Sequence, residues 1–198
     1  MIRFAVVKRV IFVAALVPAA RLVVGAFTGD LTANPIEYIT HQTGWWALAF
    51  LTASLAITPL RRLTGRHEVI RLRRMLGLYA FFYATLHLLI WITLDNFFDL
   101  PTMVEDVVER PFVTMGMATW VILLALALTS TTASVRRLGR RWQQLHRLVY
   151  VAAAGAVVHF WWLVKADTRE PVRWAVAIGV LLLFRLWWMN RARLSWRS

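Results

Sequence analysis

Six apolar runs, at about residues 10–27, 44–60, 75–94, 112–130, 145–164 and 172–189, limit what this 198-residue chain can fold into. A helix that crosses a bilayer takes roughly 20 apolar residues, and inside lipid the backbone must satisfy its own hydrogen bonds. Each run is therefore read as a membrane-spanning helix. Residues 1–198 read as a single all-α domain, a polytopic six-helix bundle. With 60% of the residues hydrophobic and 17% charged, little is left for a soluble core.

A net charge of +13 would point to nucleic acid in a soluble chain. The placement of the charge points elsewhere. Seventeen of the 23 cations fall in the N-terminal segment, the 61–74 and 131–147 connections and the tail. The alternate connections carry four: Arg110, Lys165, Arg169 and Arg173. Positive residues favour the cytoplasmic face, so both termini are expected there. Nine of the ten carboxylates, all but Glu68, then lie on the opposite side. The partner implied is the lipid bilayer and not nucleic acid.

The first run has a basic start and the small residues Pro18, Ala19 and Ala20, as a signal peptide would. Apolar sequence resumes after Arg21 with Leu22, Val23 and Val24, so the run reads as a retained first helix. Of the two longest outer connections, 28–43 and 95–111, the second contains Met103 to Glu109. Its apolar residues are expected on the membrane surface, with its acids toward water. Tryptophans near the span ends read as an aromatic belt. No internal repeat is evident.

The absence of cysteine excludes disulfides, thiolate iron–sulfur and zinc sites, and covalent c-type haem attachment. Dinucleotide, P-loop, zincin and nucleophile-elbow motifs are missing as well. Chemistry therefore falls to the five histidines. An ionisable residue inside a span is a functional candidate. His87 lies ~18 Å, and His159 ~21 Å, from the cytoplasmic start of its helix at 1.5 Å per residue. Those helices run in the same direction, so the two imidazoles reach one level in the outer half of the membrane. Facing histidines at one level can supply both axial ligands of an iron porphyrin, whereas a lone membrane histidine more often bonds a neighbouring helix.

Stepping back from His87 by threes and fours gives Ala84, Ala80, Gly77 and Arg73, a small-residue stripe with a cation at its inner end. It suits either a flat cofactor or close helix packing. His146 lies ~19.5 Å below His159 on the same span and about 140° around it. It can hold a second haem opposite Arg73 or with another partner, or it can bond a helix end or a headgroup. His41 is placed before the second span, near an outer propionate or partner. His67 reads as solvated, and Arg21 as snorkelling or paired with a propionate.

Several stretches resemble one family. They are HQTGWWAL and ITPLRR around the second span, IRLRRMLGLYAFFYATLHL in the third, RPFVTMG before the fourth, and ALTSTTASVRRLGRRWQQLHRLVYVAA running into the fifth. Together they resemble the haem-binding membrane subunits of the bacterial periplasmic methionine-sulfoxide reductase system (MsrQ, formerly YedZ), within the ferric reductase-like transmembrane group. The resemblance implies a six-helix b-type cytochrome of the inner membrane, an electron-transfer subunit and not the catalytic one. Its donor would be the quinone pool or a cytoplasmic flavin reductase. Its acceptor would be a periplasmic molybdopterin-containing methionine-sulfoxide reductase that repairs oxidised proteins.

The family's haem histidines carry over to His87 and His159, with His146 as the third, and FMN is implied as a further cofactor. Larger relatives hold two bis-histidine haems, whereas Arg73 or Arg74 stands here where a fourth histidine would sit. From the residues alone, a proton-coupled transporter using membrane histidines and a structural membrane anchor are the competing classes.

Overall fold

The computed structural model describes residues 2–164 and 166–194, which form helices joined by short turns, with no strand among them. Lys165 and Arg197, both part of the charge pattern, lie outside the described residues, as do the side chains of Arg3, Arg191 and Arg193. Helices α1 (Ile2–Ala14) and α2 (Val17–Thr28) cover the first apolar run, followed by α3 (Pro35–Thr64) and α4 (Ile70–Ile90). A short helix, α5 (Leu100–Glu109), leads into α6 (Pro111–Leu128). Two short helices, α7 (Thr132–Leu138) and α8 (Arg140–Leu145), lead into α9 (Leu148–Leu163) and then α10 (Arg169–Leu194).

Among the described residues, five stretches are long and apolar enough to cross a bilayer: Phe4–Thr28, Pro35–Thr64, His67–Asp95, Pro111–Leu128 and Arg169–Trp188. The fifth apolar run differs from expectation. Its helix α9 has 16 residues, a rise of roughly 24 Å against a hydrocarbon core of about 30 Å.

Helix α3 starts well before its apolar run because its N-terminus is capped. Asn34 accepts from the Glu37 backbone N–H at 3.4 Å and donates its amide to Glu37 Oε2 at 2.8 Å. Pro35 supplies a helical φ at the first position. His41, expected in a connection, is consequently an exposed residue within α3.

The first run is not one helix. Pro18 cannot donate a backbone hydrogen bond, and a side chain from α4 enters the break. Tyr83 is fully buried. Its hydroxyl donates to the Ala15 carbonyl at 2.7 Å and accepts from the Ala19 N–H at 3.1 Å, replacing the bond those two groups would share in a continuous helix. Tyr79 similarly donates to the Phe12 carbonyl at 2.7 Å. Tyr83→Phe should leave both groups without that partner and destabilise the protein by about 1–3 kcal/mol. Denaturant or thermal unfolding in detergent reads this directly, and wild-type stability in the variant would contradict the role of the hydroxyl.

Helix α4 runs into a π-helical turn, Trp91–Asp95, and the chain then reverses through Phe97 (φ 47°) and Phe98 (φ 62°). Bulky residues adopt that left-handed region only at a cost. In α5, Val104 and Val108 are exposed, in keeping with an amphipathic surface helix. Asp106 departs from the expectation that its acids face water. It is 5% exposed and pairs with Arg110 at 3.1 Å, and a buried carboxylate without such a partner would be strongly destabilising.

Candidate functional site

The structure brings His87 of α4 and His159 of α9 together, with ring centroids 6.1 Å apart and ring planes nearly perpendicular at 82°. His87 Nδ1 lies 2.9 Å from the Thr40 carbonyl, and His159 Nδ1 lies 2.6 Å from the Phe112 carbonyl. A carbonyl oxygen only accepts, so Nδ1 carries the proton in both rings. That fixes the tautomer and leaves each Nε2 lone pair free, the arrangement common to metal-bound histidines. With metal–imidazole bonds of about 2 Å, two rings on opposite sides of one metal ion have centroids about 6 Å apart. The observed separation matches.

Glycine makes both contacts possible. A Cβ added at Gly116 would lie 2.9 Å from His159 Cε1 and Nδ1, and one at Gly44 would lie 3.2 Å from His87 Cε1 and 3.3 Å from Nδ1. Each imidazole therefore rests on bare backbone of the neighbouring helix and bonds the carbonyl four positions before that glycine.

The two halves obey one register. In both, the histidine follows its carbonyl partner by 47 residues. Thr40, Gly44 and His87 are matched by Phe112, Gly116 and His159 at a constant offset of 72 (40 to 112, 44 to 116, 87 to 159). Leu51 and Leu123, Ala80 and Ala152, and Ala84 and Ala156 keep the same offset. The pairs α3–α4 and α6–α9 are thus an internal repeat, contrary to the reading that none exists. At this offset His146 corresponds to Arg74.

A cavity of about 990 Å³ opens around the pair, lined by both histidines, Gly44, Gly116, Ala84 and Ala156. Glu37, Asp95, Asp106, Glu170 and Arg110 also line it. Closer to the inner side the small residues serve packing. Ala80, Ala152 and Ala153 are fully buried. A Cβ at Gly155 would lie 2.5 Å from Thr119 Oγ1, and one at Gly77 would lie 3.5 Å from Ser54 Oγ. The stripe below His87 is therefore divided, with Ala84 facing the cavity and Ala80 and Gly77 drawing α4 against its neighbours.

His146 sits elsewhere. Its Nε2 is 3.1 Å from Thr129 Oγ1. That hydroxyl donates to the Ala125 carbonyl at 2.7 Å, so it accepts from His146. The imidazole also stacks on Trp142, with centroids 3.9 Å apart and planes at 25°, and Trp142 Nε1 donates to the Thr129 carbonyl at 2.9 Å. Arg73 is half-buried on α4, whereas Arg74 is exposed. His41 is exposed at the cavity's outer edge, His67 is exposed in a one-turn helix, and Arg21 is exposed on α2 away from the cavity wall.

Among the described residues no three histidine, aspartate or glutamate side chains converge on a metal position. Two imidazoles facing across an apolar cavity instead suit a planar macrocycle, which supplies the remaining ligands itself. Sequence reasoning found the histidines and missed the groups that hold them. Thr40 and Phe112 act through their backbone, which no residue type announces, but the 72-residue spacing of Gly44 and Gly116 was a usable signal.

Residues 43–157 match the family described as "Ferric reductase like transmembrane component". The chain is 51% identical over 190 residues to the "Protein-methionine-sulfoxide reductase heme-binding subunit MsrQ" of Herminiimonas arsenicoxydans, covering 94% of this chain and 87% of that protein. The protein of the same description from Ralstonia nicotianae is 51% identical over 188 residues, covering 93% and 87%. That from Bordetella pertussis is 48% identical over 189 residues, covering 93% and 92%. No solved structure matches the chain.

Proposed function

The chain belongs to the ferric reductase-like transmembrane family, among its MsrQ haem-binding subunits, and from that premise we propose that it is a b-type cytochrome moving electrons outward across the bacterial inner membrane. The donor in this reading is the quinone pool or a cytoplasmic flavin reductase. The acceptor is a periplasmic molybdopterin-containing subunit that reduces methionine sulfoxide in oxidised proteins. Residues 1–198 act as one transmembrane domain, and the chain is the electron-transfer partner of that catalytic subunit.

The observation that carries the reading is the facing of His87 and His159 at 6.1 Å with both Nδ1 protons committed to carbonyls. Haem held between His87 and His159 would supply one-electron transfer, a role that suits two imidazole ligands better than oxygen chemistry does. The protein's part is positional. Thr40 and Phe112 orient the imidazoles, Gly44 and Gly116 admit them, and Ala84 and Ala156 leave room for the ring. A proton relay gains nothing from this geometry, because the Nδ1 protons are tied to backbone.

One haem at this pair is the reading adopted. A second, on the inner side, would have His146 as its histidine and would have to displace the Thr129 contact. Arg73 or Arg74 stands where its partner histidine would be, and is suited only to its propionates. FMN is carried by family resemblance, and the arginine-rich inner surface has the charge to meet its phosphate.

The topology proposed has six crossings with both termini cytoplasmic, α9 crossing as a short span that local thinning accommodates. Thr64 and Thr102 are exposed and lie on opposite sides in this arrangement. Cysteines placed there should react with an impermeant reagent from opposite faces, and labelling from one face would refute it.

With the haem in the outer leaflet, the acid-rich outer rim is the exit and the surface around His146 and Trp142 is the entry. His146→Ala should slow haem reduction by a cytoplasmic donor and leave reoxidation by the periplasmic partner nearly unchanged. Stopped-flow records of the two half-reactions test this. Slowing of reoxidation alone, or equal slowing of both, would overturn the assigned direction.

A further inference from the structure

The inner end of the bundle holds a group of arginines that haem binding does not use. Arg62 of α3 and Arg185 of α10 meet beside Tyr150 of α9, and all three line one small cavity. The Arg62 guanidinium lies 4.8 Å from the Trp188 ring centre, and that of Arg185 lies 4.6 Å from the Tyr150 ring centre. Arg73 and Arg147 are near enough to act on Arg185 electrostatically, as Arg185 acts on Arg62.

Among the described residues none of these four cations has a carboxylate partner; the ion pairs found are Arg110 with Asp106 and Arg169 with Asp167. Arg62 Nη1 and the Tyr150 hydroxyl are closed off from solvent and have no hydrogen-bond partner among the described residues. Buried donors left unbonded are destabilising, and four converging positive charges at the edge of a low-dielectric region need an anion.

The dimensions and the lining indicate which anion. The enclosed space is about 10 Å³, room for about one water-sized atom, so a ligand would sit over its mouth with one oxygen reaching inward. Apart from Thr58 the other walls are apolar, including Leu55, Pro59, Leu181 and Phe184, and Leu183 and Leu186 beside them on α10 are exposed. Guanidinium forks match phosphate oxygens, and basic pockets between transmembrane helices on the cytoplasmic side take phospholipid headgroups. We propose that Arg62, Arg185 and Tyr150 form a phosphate-binding site at the inner membrane surface, suited to the phosphodiester of an anionic phospholipid.

The test uses the full haem-loaded chain in nanodiscs of mixed phosphatidylglycerol and phosphatidylcholine, with retained lipid read by native mass spectrometry. Wild type should retain phosphatidylglycerol preferentially. Arg62→Gln and Arg185→Gln should each lower that preference about fivefold, while the exposed Arg137→Gln should leave it unchanged. Tyr150→Phe keeps the ring under Arg185 and should also weaken retention, which covers the case of an arginine variant that fails to fold. In a second arm, inorganic phosphate and FMN are added in pure phosphatidylcholine discs. Thermal protection of wild type but not of the arginine variants would keep the phosphate site and assign it to a soluble ligand. Equal lipid preference in wild type and all variants, with no protection by soluble phosphate, would overturn the proposal. The haem spectrum, unchanged throughout, separates this result from any failure of the electron-transfer reading.

Discussion

His159→Ala is expected to abolish most of the reduced alpha band of the purified chain, and His87→Ala should do the same. Each substitution removes one of two imidazoles that face each other at 6.1 Å, and of the other three histidines only His41 lines the same cavity. His41 is exposed on the outer rim, and His146 is held by Thr129 and Trp142 at the other end of the bundle. Most of the haem should be lost while membrane insertion is retained, because replacing an intramembrane imidazole with a methyl group makes the span more apolar. Pyridine haemochrome assay against protein concentration gives the stoichiometry. A wild-type spectrum in either variant would remove that histidine from the site.

Gly116→Ala tests the support behind the ligand. The new Cβ would stand 2.9 Å from His159 Cε1 and Nδ1, closer than real contacts permit. The ring can yield only by moving away from the Phe112 carbonyl, which holds its tautomer at 2.6 Å. Disrupting the partner of a metal-bound histidine typically lowers affinity about 10- to 100-fold, and a loss of that size is expected in haem titrations of the apoprotein. Gly44→Ala is the milder counterpart, since its Cβ would stand 3.2 Å from His87 Cε1 and a small tilt relieves the contact. The order matters most. Equal affinities for both variants and wild type would show that the close backbone approach has no part in holding the ring.

The histidine pair was legible in the sequence because depth in a membrane is a matter of counting. Two co-directional helices, each rising 1.5 Å per residue, place His87 and His159 at one level whatever the details of packing. The bundle was legible for a similar reason, since apolar run length decides what can span. The features that were missed depend on groups distant in the chain. The break in the first helix needs Tyr83 from α4 as well as Pro18, and nothing local to residues 15–19 announces a hydroxyl from 64 or more positions away. Asp106 is polar by type and reads as solvent-facing, but Arg110 one turn later allows it to be buried. The repeat escaped notice because few residue identities survive in it; the matching spacing of Gly44 and Gly116 was the sequence signal, and the shared glycine–carbonyl–histidine geometry makes the offset plain.

The small-residue stripe is instructive as well. Ala84, Ala80 and Gly77 look equivalent in sequence, and both a cofactor face and a packing face use small residues. Only the position of α3 and its Ser54 separates them, giving Ala84 to the cavity and Gly77 to helix contact.

The most direct test of the account is the electron paramagnetic resonance spectrum of the ferric, purified, haem-loaded chain. Two imidazoles on one iron give a six-coordinate low-spin centre, and ring planes at 82° make that signal a highly anisotropic one. A low-spin signal of this kind, lost in both His87→Ala and His159→Ala, is the predicted result. A high-spin signal from wild type, or a low-spin signal that survives either substitution, would contradict the pairing on which the function rests.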